Sequence, residues 1–307
     1  MTERFNVDGA ELYLLTRGQD RRAPVVLWLH GGPGGPEGPL FQYFNRDLER
    51  HFVVIYWDQR GTGRSFSPQS DPARLTIAQH IKDLDAIVDH LRQSLGRGKI
   101  VLMGHSWGAT LGVLYTREHP EKVEALFAIS PLVNGLAGQQ KEYDFVSTEA
   151  KRRSDYRAQS RLLEIGQPPY GTVEQLLEVE DLSNKFGGVF HIQPNRTLLL
   201  LRGFFGGLVK PWELPRFFHA NKVSLTVMNK ELLDLDLSRS APRIEVPVYF
   251  LLGRYDCHAD ATLAAEYFET LKGPYKKLIW FENSAHNIPF EEPNQFNDIV
   301  VQELRMR

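Results

Sequence analysis

The chain has 307 residues, 42% of them hydrophobic and 24% charged, which is enough for one large domain or for a core domain carrying an insertion. Fibres, disulfide scaffolds and disorder are excluded, and 36 basic against 38 acidic residues leave a formal charge of -2, too balanced to draw a nucleic acid. The single cysteine, Cys257, and a start lacking a basic, apolar leader point to the cytoplasm. The apolar run from Thr197 to Val209 is broken by Arg202 and falls short of the roughly 20 residues a spanning helix needs, so no membrane insertion is expected.

In chain order, Phe5 to Val7 and Glu11 to Thr16 flank the turn-prone Asp8-Gly9 and predict a hairpin. Val25 to His30 and Phe52 to Trp57 are nearly continuous β-branched and aromatic runs, the pattern of strands buried on both faces, and each leads into a glycine-rich loop. Ile77, Ile81, Leu84, Ile87, Val88 and Leu91 recur at helical spacing, with Gly96 as the stop. A strand at Lys99 to Met103, a helix at Ala109 to His119 and a strand at Val123 to Ile129 follow. The rhythm breaks from about Asn134 to Pro242, where short helices with irregular joints are expected, and resumes with strands at Val246 to Leu252 and Lys277 to Phe281. Helices near Ala261 to Leu271 and Pro293 to Leu304 complete it. The expectation is an α/β fold with a mostly parallel sheet flanked by helices, its core formed by residues 1–133 and 242–307, with a helical cap inserted at 134–241.

Gly104-His105-Ser106-Trp107-Gly108 matches the G-x-S-x-G nucleophile elbow and sits between a predicted strand and a predicted helix, the context that chemistry requires. The alternative is a serine that merely caps the helix. A serine nucleophile needs a base and the base an orienting carboxylate, and Asp256 and His286 follow in that order, each just beyond a buried strand. Asp260 competes for the carboxylate role but is better placed to cap the next helix; His258 reads as a surface or lid-contacting residue. The glycine-rich loop after His30 offers main-chain donors for an oxyanion, with the amides of Gly32 and Trp107 expected in that role and Gly31 as the near alternative. That loop lacks the Gly-Lys-Ser/Thr ending of a phosphate cradle, and the Asp58 to Ser65 loop lacks the third glycine of a dinucleotide fingerprint. Asp58 and Arg60 are expected in partly buried pairs, and no metal or cofactor is required.

With HGGPGG at 30–35, DQRGTGRS at 58–65, GHSWGAT around Ser106, GRYD ending at Asp256 and SAHNIPFEEP around His286, the chain resembles α/β-hydrolases of the proline iminopeptidase group across nearly the whole core. The resemblance implies a Ser106–Asp256–His286 triad and removal of an N-terminal residue, often proline, from short peptides; some relatives act on amino-acid amides or esters. Two departures are His105, where the group usually has glycine, and Thr62, where it often has cysteine. The group also implies lid carboxylates that hold the substrate's amino group. Glu164, Glu174, Glu178, Glu180 and Asp181 form an acidic stretch without intervening lysine or arginine, and Glu174, Glu178, Glu180 and Asp181 are the substrate-binding candidates, against the alternative of a solvated helix face. The expected partner is a small molecule or short peptide. Hydrolysis of small esters or lactones is the competing activity, and a ligand-binding protein on an inactive hydrolase fold the competing class.

Overall fold

The computed structural model describes residues 1–192 and 210–306, so the apolar run at 197–209 lies outside the described residues. Eight strands form one sheet in the order β1-β2-β4-β3-β5-β6-β7-β8. The predicted hairpin is β1 (Thr2–Val7) and β2 (Ala10–Arg17), paired antiparallel around Asp8 and Gly9. Both turn residues have positive φ, 44° and 76°, which matches the right-handed twist of the flanking strands. β2 also runs antiparallel to β4 (Val53–Asp58). From β4 onward, β3 (Val25–Leu29), β5 (Ile100–His105), β6 (Val123–Ile129), β7 (Val248–Gly253) and β8 (Lys276–Phe281) are all parallel.

The sheet is central because its middle strands are apolar on both faces. Leu27, Leu29, Ile55, Trp57 and Leu102 pack against α2 (Ile77–Ser94) and α3 (Trp107–Glu118). Their alternates Val26, Trp28, Val54, Tyr56, Val101 and Met103 pack on the opposite face with Phe41, Phe296 and Val300. Phe41 belongs to α1 (Gly38–Phe44), a short helix absent from the sequence-based expectation, and stacks on Trp28 with ring centroids 3.7 Å apart.

Between β6 and β7 the helices are longer than expected: α4 (Gly135–Arg152), α5 (Tyr156–Ile165), α6 (Val173–Phe186) and α7 (Leu214–Leu233). Asn134, Asp155 and Thr172 each accept a main-chain N–H at a helix start. Val146, Ala150, Leu162, Val179 and Phe186 give this region its own small core. Its two legs meet where Asn134 bridges Asp236 and Leu237 donates to the Val133 carbonyl. After β7 and β8 come α8 (Ala261–Thr270) and α9 (Pro293–Arg305), close to the predicted limits. No helix among the described residues is long and apolar enough to cross a membrane.

Candidate active site

Ser106 occupies the tight turn between β5 and α3 with φ 53° and ψ -121°. A sterically costly backbone of this kind persists only where its surroundings enforce it. The two elbow glycines are required by contact: a Cβ on Gly104 would lie 2.3 Å from the Gly108 carbonyl oxygen, and one on Gly108 only 2.0 Å from the Leu29 carbonyl oxygen. The serine side chain makes no capping hydrogen bond, so the helix-cap alternative is not what this residue does.

Asp256 and His286, thirty residues apart in sequence, are joined at the carboxyl edge of the sheet by an Nδ1–Oδ2 hydrogen bond of 2.9 Å. The other Asp256 oxygen accepts the amides of His258 and Ala259, both at 3.0 Å. Burial would raise the Asp256 carboxyl, but His286 and these donors hold it below its usual range. Burial dominates at His286 and lowers it to about 4 against the pull of Asp256. The ring is therefore neutral, with Nδ1–H facing the carboxylate and Nε2 left as the basic nitrogen. Asp260 instead accepts the amides of Thr262 and Leu263 at the start of α8.

The glycine-rich loop is held by a buried polar network. The Gln59 amide donates to His30 Nε2, the Gln59 side chain donates to the His30 carbonyl, and Trp107 Nε1 donates to Gln59 Oε1 at 2.9 Å. Glu37 accepts the Gly31 amide at 2.9 Å, which removes Gly31 as a free donor. The amides of Gly32 and Trp107 meet no acceptor among the described residues. Trp107 opens α3, so its N–H lies at the positive end of that helix. A Cβ on Gly31 would be 3.3 Å from the Ser106 Cβ, so this loop lies directly against the serine.

Two further imidazoles flank His286. His105 lies 4.9 Å away between ring centroids, its Nδ1 facing Glu37 and its Nε2 facing the His286 carbonyl; with acceptors at both nitrogens the ring carries two protons. His258 lies 4.8 Å away on another side, its Nδ1 2.9 Å from Glu142 of α4. Glu291 fixes the loop that carries His286, accepting the amides of Ala285 at 2.9 Å, Asn287 at 3.2 Å and His191 at 2.7 Å. Sequence reasoning missed Glu37, Gln59, Glu142 and Glu291 as supports. Glu291, five residues past His286 in the SAHNIPFEEP segment, is the one of these with a positional hint.

The acidic stretch divides. Glu174 pairs with Lys222 at 2.7 Å and Glu178 with Arg161 at 2.5 Å, both on the exterior. Asp181 is exposed, while Glu180 is half-buried and lies near enough to His258 to favour its charged form. Arg60 forms a buried pair with Asp83 at 2.6 Å. The Asp58 carboxylate accepts the Arg64 amide at 2.8 Å, and burial raises it to about 6. The tight turn after β4 presents main-chain N–H to Asp58 and aims the Arg60 side chain at α2 instead.

The fold is that of the α/β-hydrolases, and a family model described as alpha/beta hydrolase fold matches residues 24–165. The chain is 28% identical over 304 residues to a Bacillus subtilis protein named probable aminopeptidase YbaC, covering 98% of this chain and 95% of that one. It is 26% identical over 285 residues to a proline iminopeptidase of Saccharolobus solfataricus, covering 90% of this chain and 83% of that one. The crystal structure of a Mycobacterium smegmatis proline iminopeptidase superposes with a TM-score of 0.75 at 18% identity over 100% of this chain and 98% of its own, a likeness of fold.

Proposed function

We propose that the chain is a serine hydrolase that removes the N-terminal residue, with proline preferred, from small peptides or aminoacyl amides through an acyl-enzyme. The observation that carries this reading is the buried Asp256–His286 hydrogen bond on the same sheet edge as Ser106 in its elbow. His286 Nε2 takes the Ser106 proton as the serine oxygen attacks the carbonyl, and Asp256 holds the ring and balances the imidazolium that forms. The Gly32 and Trp107 amides, without other acceptors among the described residues, bind the developing oxyanion. His286 then returns the proton to the leaving amine, and water repeats the sequence to release the acid.

Residues 134–241 act in this reading as a cap on a core made of 1–133 and 242–307. Glu180, half-buried and facing His258, is the acidic candidate that lies toward the site, whereas Glu174 and Glu178 sit on the exterior in pairs with Lys222 and Arg161. The choice of amides over esters draws on the full-length similarity to a protein named as an aminopeptidase. The test compares aminoacyl arylamides, free and N-acetylated, with short aryl esters and lactones. An aminopeptidase favours the free amine by roughly 10²-fold in kcat/KM, the effect of one charge-assisted contact. Equal rates for the two forms would leave an esterase or lactonase as the function.

A further inference from the structure

Glu142 and His258 stand outside the chemistry just described, yet they form a built pair against its base. The Glu142 side chain is 3% exposed, a state a carboxylate adopts only with a partner, and His258 Nδ1 is 2.9 Å from it. The His258 ring meets the His286 ring edge to face, with centroids 4.8 Å apart and planes at 80°. Glu142 comes from α4 in the insertion, whereas His258 follows Asp256 in the core, so the pair joins the two regions at the base.

We propose that Glu142 holds His258 as an imidazolium beside His286, and that this pair is a positioning device which keeps the base unprotonated, so that a residue of the insertion sets the acid limit of the reaction. The inference rests on His286 as the base. A second positive charge at this separation opposes protonation of His286, and in a water-poor site the opposition is strong. The groups facing His258 are Glu142 from α4, Glu180 from α6, Asp256 from its own loop and His286. Those facing His286 are Asp256, His258 and His105, the last held by Glu37. Burial would discharge His258, but the three carboxylates outweigh it and raise the ring to about 10. His258 and His105 in turn oppose the pull of Asp256 on His286.

Glu142→Gln removes the acceptor that holds His258 charged, so the ring loses its proton more readily and His286 becomes easier to protonate. His258→Gln removes the cation directly and leaves Glu142 nearby, which acts in the same direction. The experiment follows the histidine ring 1H–13C signals with pH in wild type, Glu142→Gln and His258→Gln, alongside kcat/KM on an arylamide between pH 5 and 9. In wild type His258 stays protonated past pH 8, and kcat/KM at pH 5.5 keeps most of its pH 8 value. In either variant the His286 midpoint moves up, staying below the ordinary histidine value near 6.5 because the ring remains buried, and kcat/KM at pH 5.5 falls about twofold relative to pH 8. A variant lowering the rate equally at every pH, with an unmoved His286 midpoint, would show that the pair only packs and would overturn the proposal, as would a neutral His258 in wild type at pH 7. If one variant fails to fold, the other carries the test. Failure of the serine mechanism appears separately, as absence of a fluorophosphonate adduct on Ser106, while the ring titration still reads the His258–His286 coupling.

Discussion

Asp256 and Asp260 stand four residues apart and serve different partners, one a histidine ring and the other the start of a helix. Asp256→Asn should lower kcat by about 10⁴-fold with the fold retained, the size of the comparable change in a serine-protease triad, because an amide presents the wrong partner to the ring. Asp260→Ala should leave kcat nearly unchanged and cost about 1 kcal/mol of stability as a lost helix cap, read by urea unfolding. The pH dependence has a definite sign. In the proposed mechanism His286 acts in its neutral form, and burial lowers it to about 4, so kcat/KM should stay level well below pH 6.5 and fall only as pH drops toward 4. An acid limb at 6.5 or above, measured while circular dichroism shows the fold intact, would contradict this. The placement of Ser106, Asp256 and His286 at the carboxyl edge of the sheet was legible in the sequence because each lies in a short loop beyond a strand with an apolar run. Glu142 and Glu37 were not, since a lone carboxylate on a helix or loop has no spacing that distinguishes it from a solvated one.

At the scale of elements, α3 can approach β3 because Gly108 has no side chain, and α2 is locked to the loop after β4 by Arg60 and Asp83. Gly108→Ala must push the helix away from the Leu29 carbonyl, and the expected result is loss of turnover with a lowered Tm. Asp83→Ala leaves the Arg60 guanidinium buried without its carboxylate and should destabilise by about 3–5 kcal/mol, checked by denaturant midpoints. A change below 1 kcal/mol would mean that water replaces the lost partner. The strands were readable at this scale because burial on both faces writes an unbroken apolar run, as in β3 and β4. The helix α1 was not, because Gly38 and Pro39 open its seven residues and its one fully buried large side chain, Phe41, shows no period. The lengths of α4 and α7 were also hidden, since the glycines of α4 and the proline, β-branched and polar residues of α7 read as joints while packing holds both helical.

For the whole molecule, the insertion is tied to the core at the loops that carry Asp256 and His286. The Gly188 carbonyl accepts the Cys257 amide, the Val189 carbonyl accepts the amides of His286 and the Asn287 side chain, and His191 stacks on Tyr255 with centroids 3.6 Å apart. At the other leg Arg64 binds Glu213 at 3.0 Å. The cap's contribution to substrate choice is therefore testable by charge: Glu180→Gln should reduce the free-amine preference while sparing turnover of the N-acetylated substrate. The central claim, that Ser106 is the nucleophile, is tested most directly by fluorophosphonate labelling followed by peptide mass mapping, on wild type and Ser106→Ala, with turnover measured on the same samples. One adduct is expected, on Ser106, that abolishes activity in wild type, and a folded Ser106→Ala protein with neither adduct nor turnover. Near-native turnover by Ser106→Ala, or inactivation of wild type through an adduct on another residue, would contradict it.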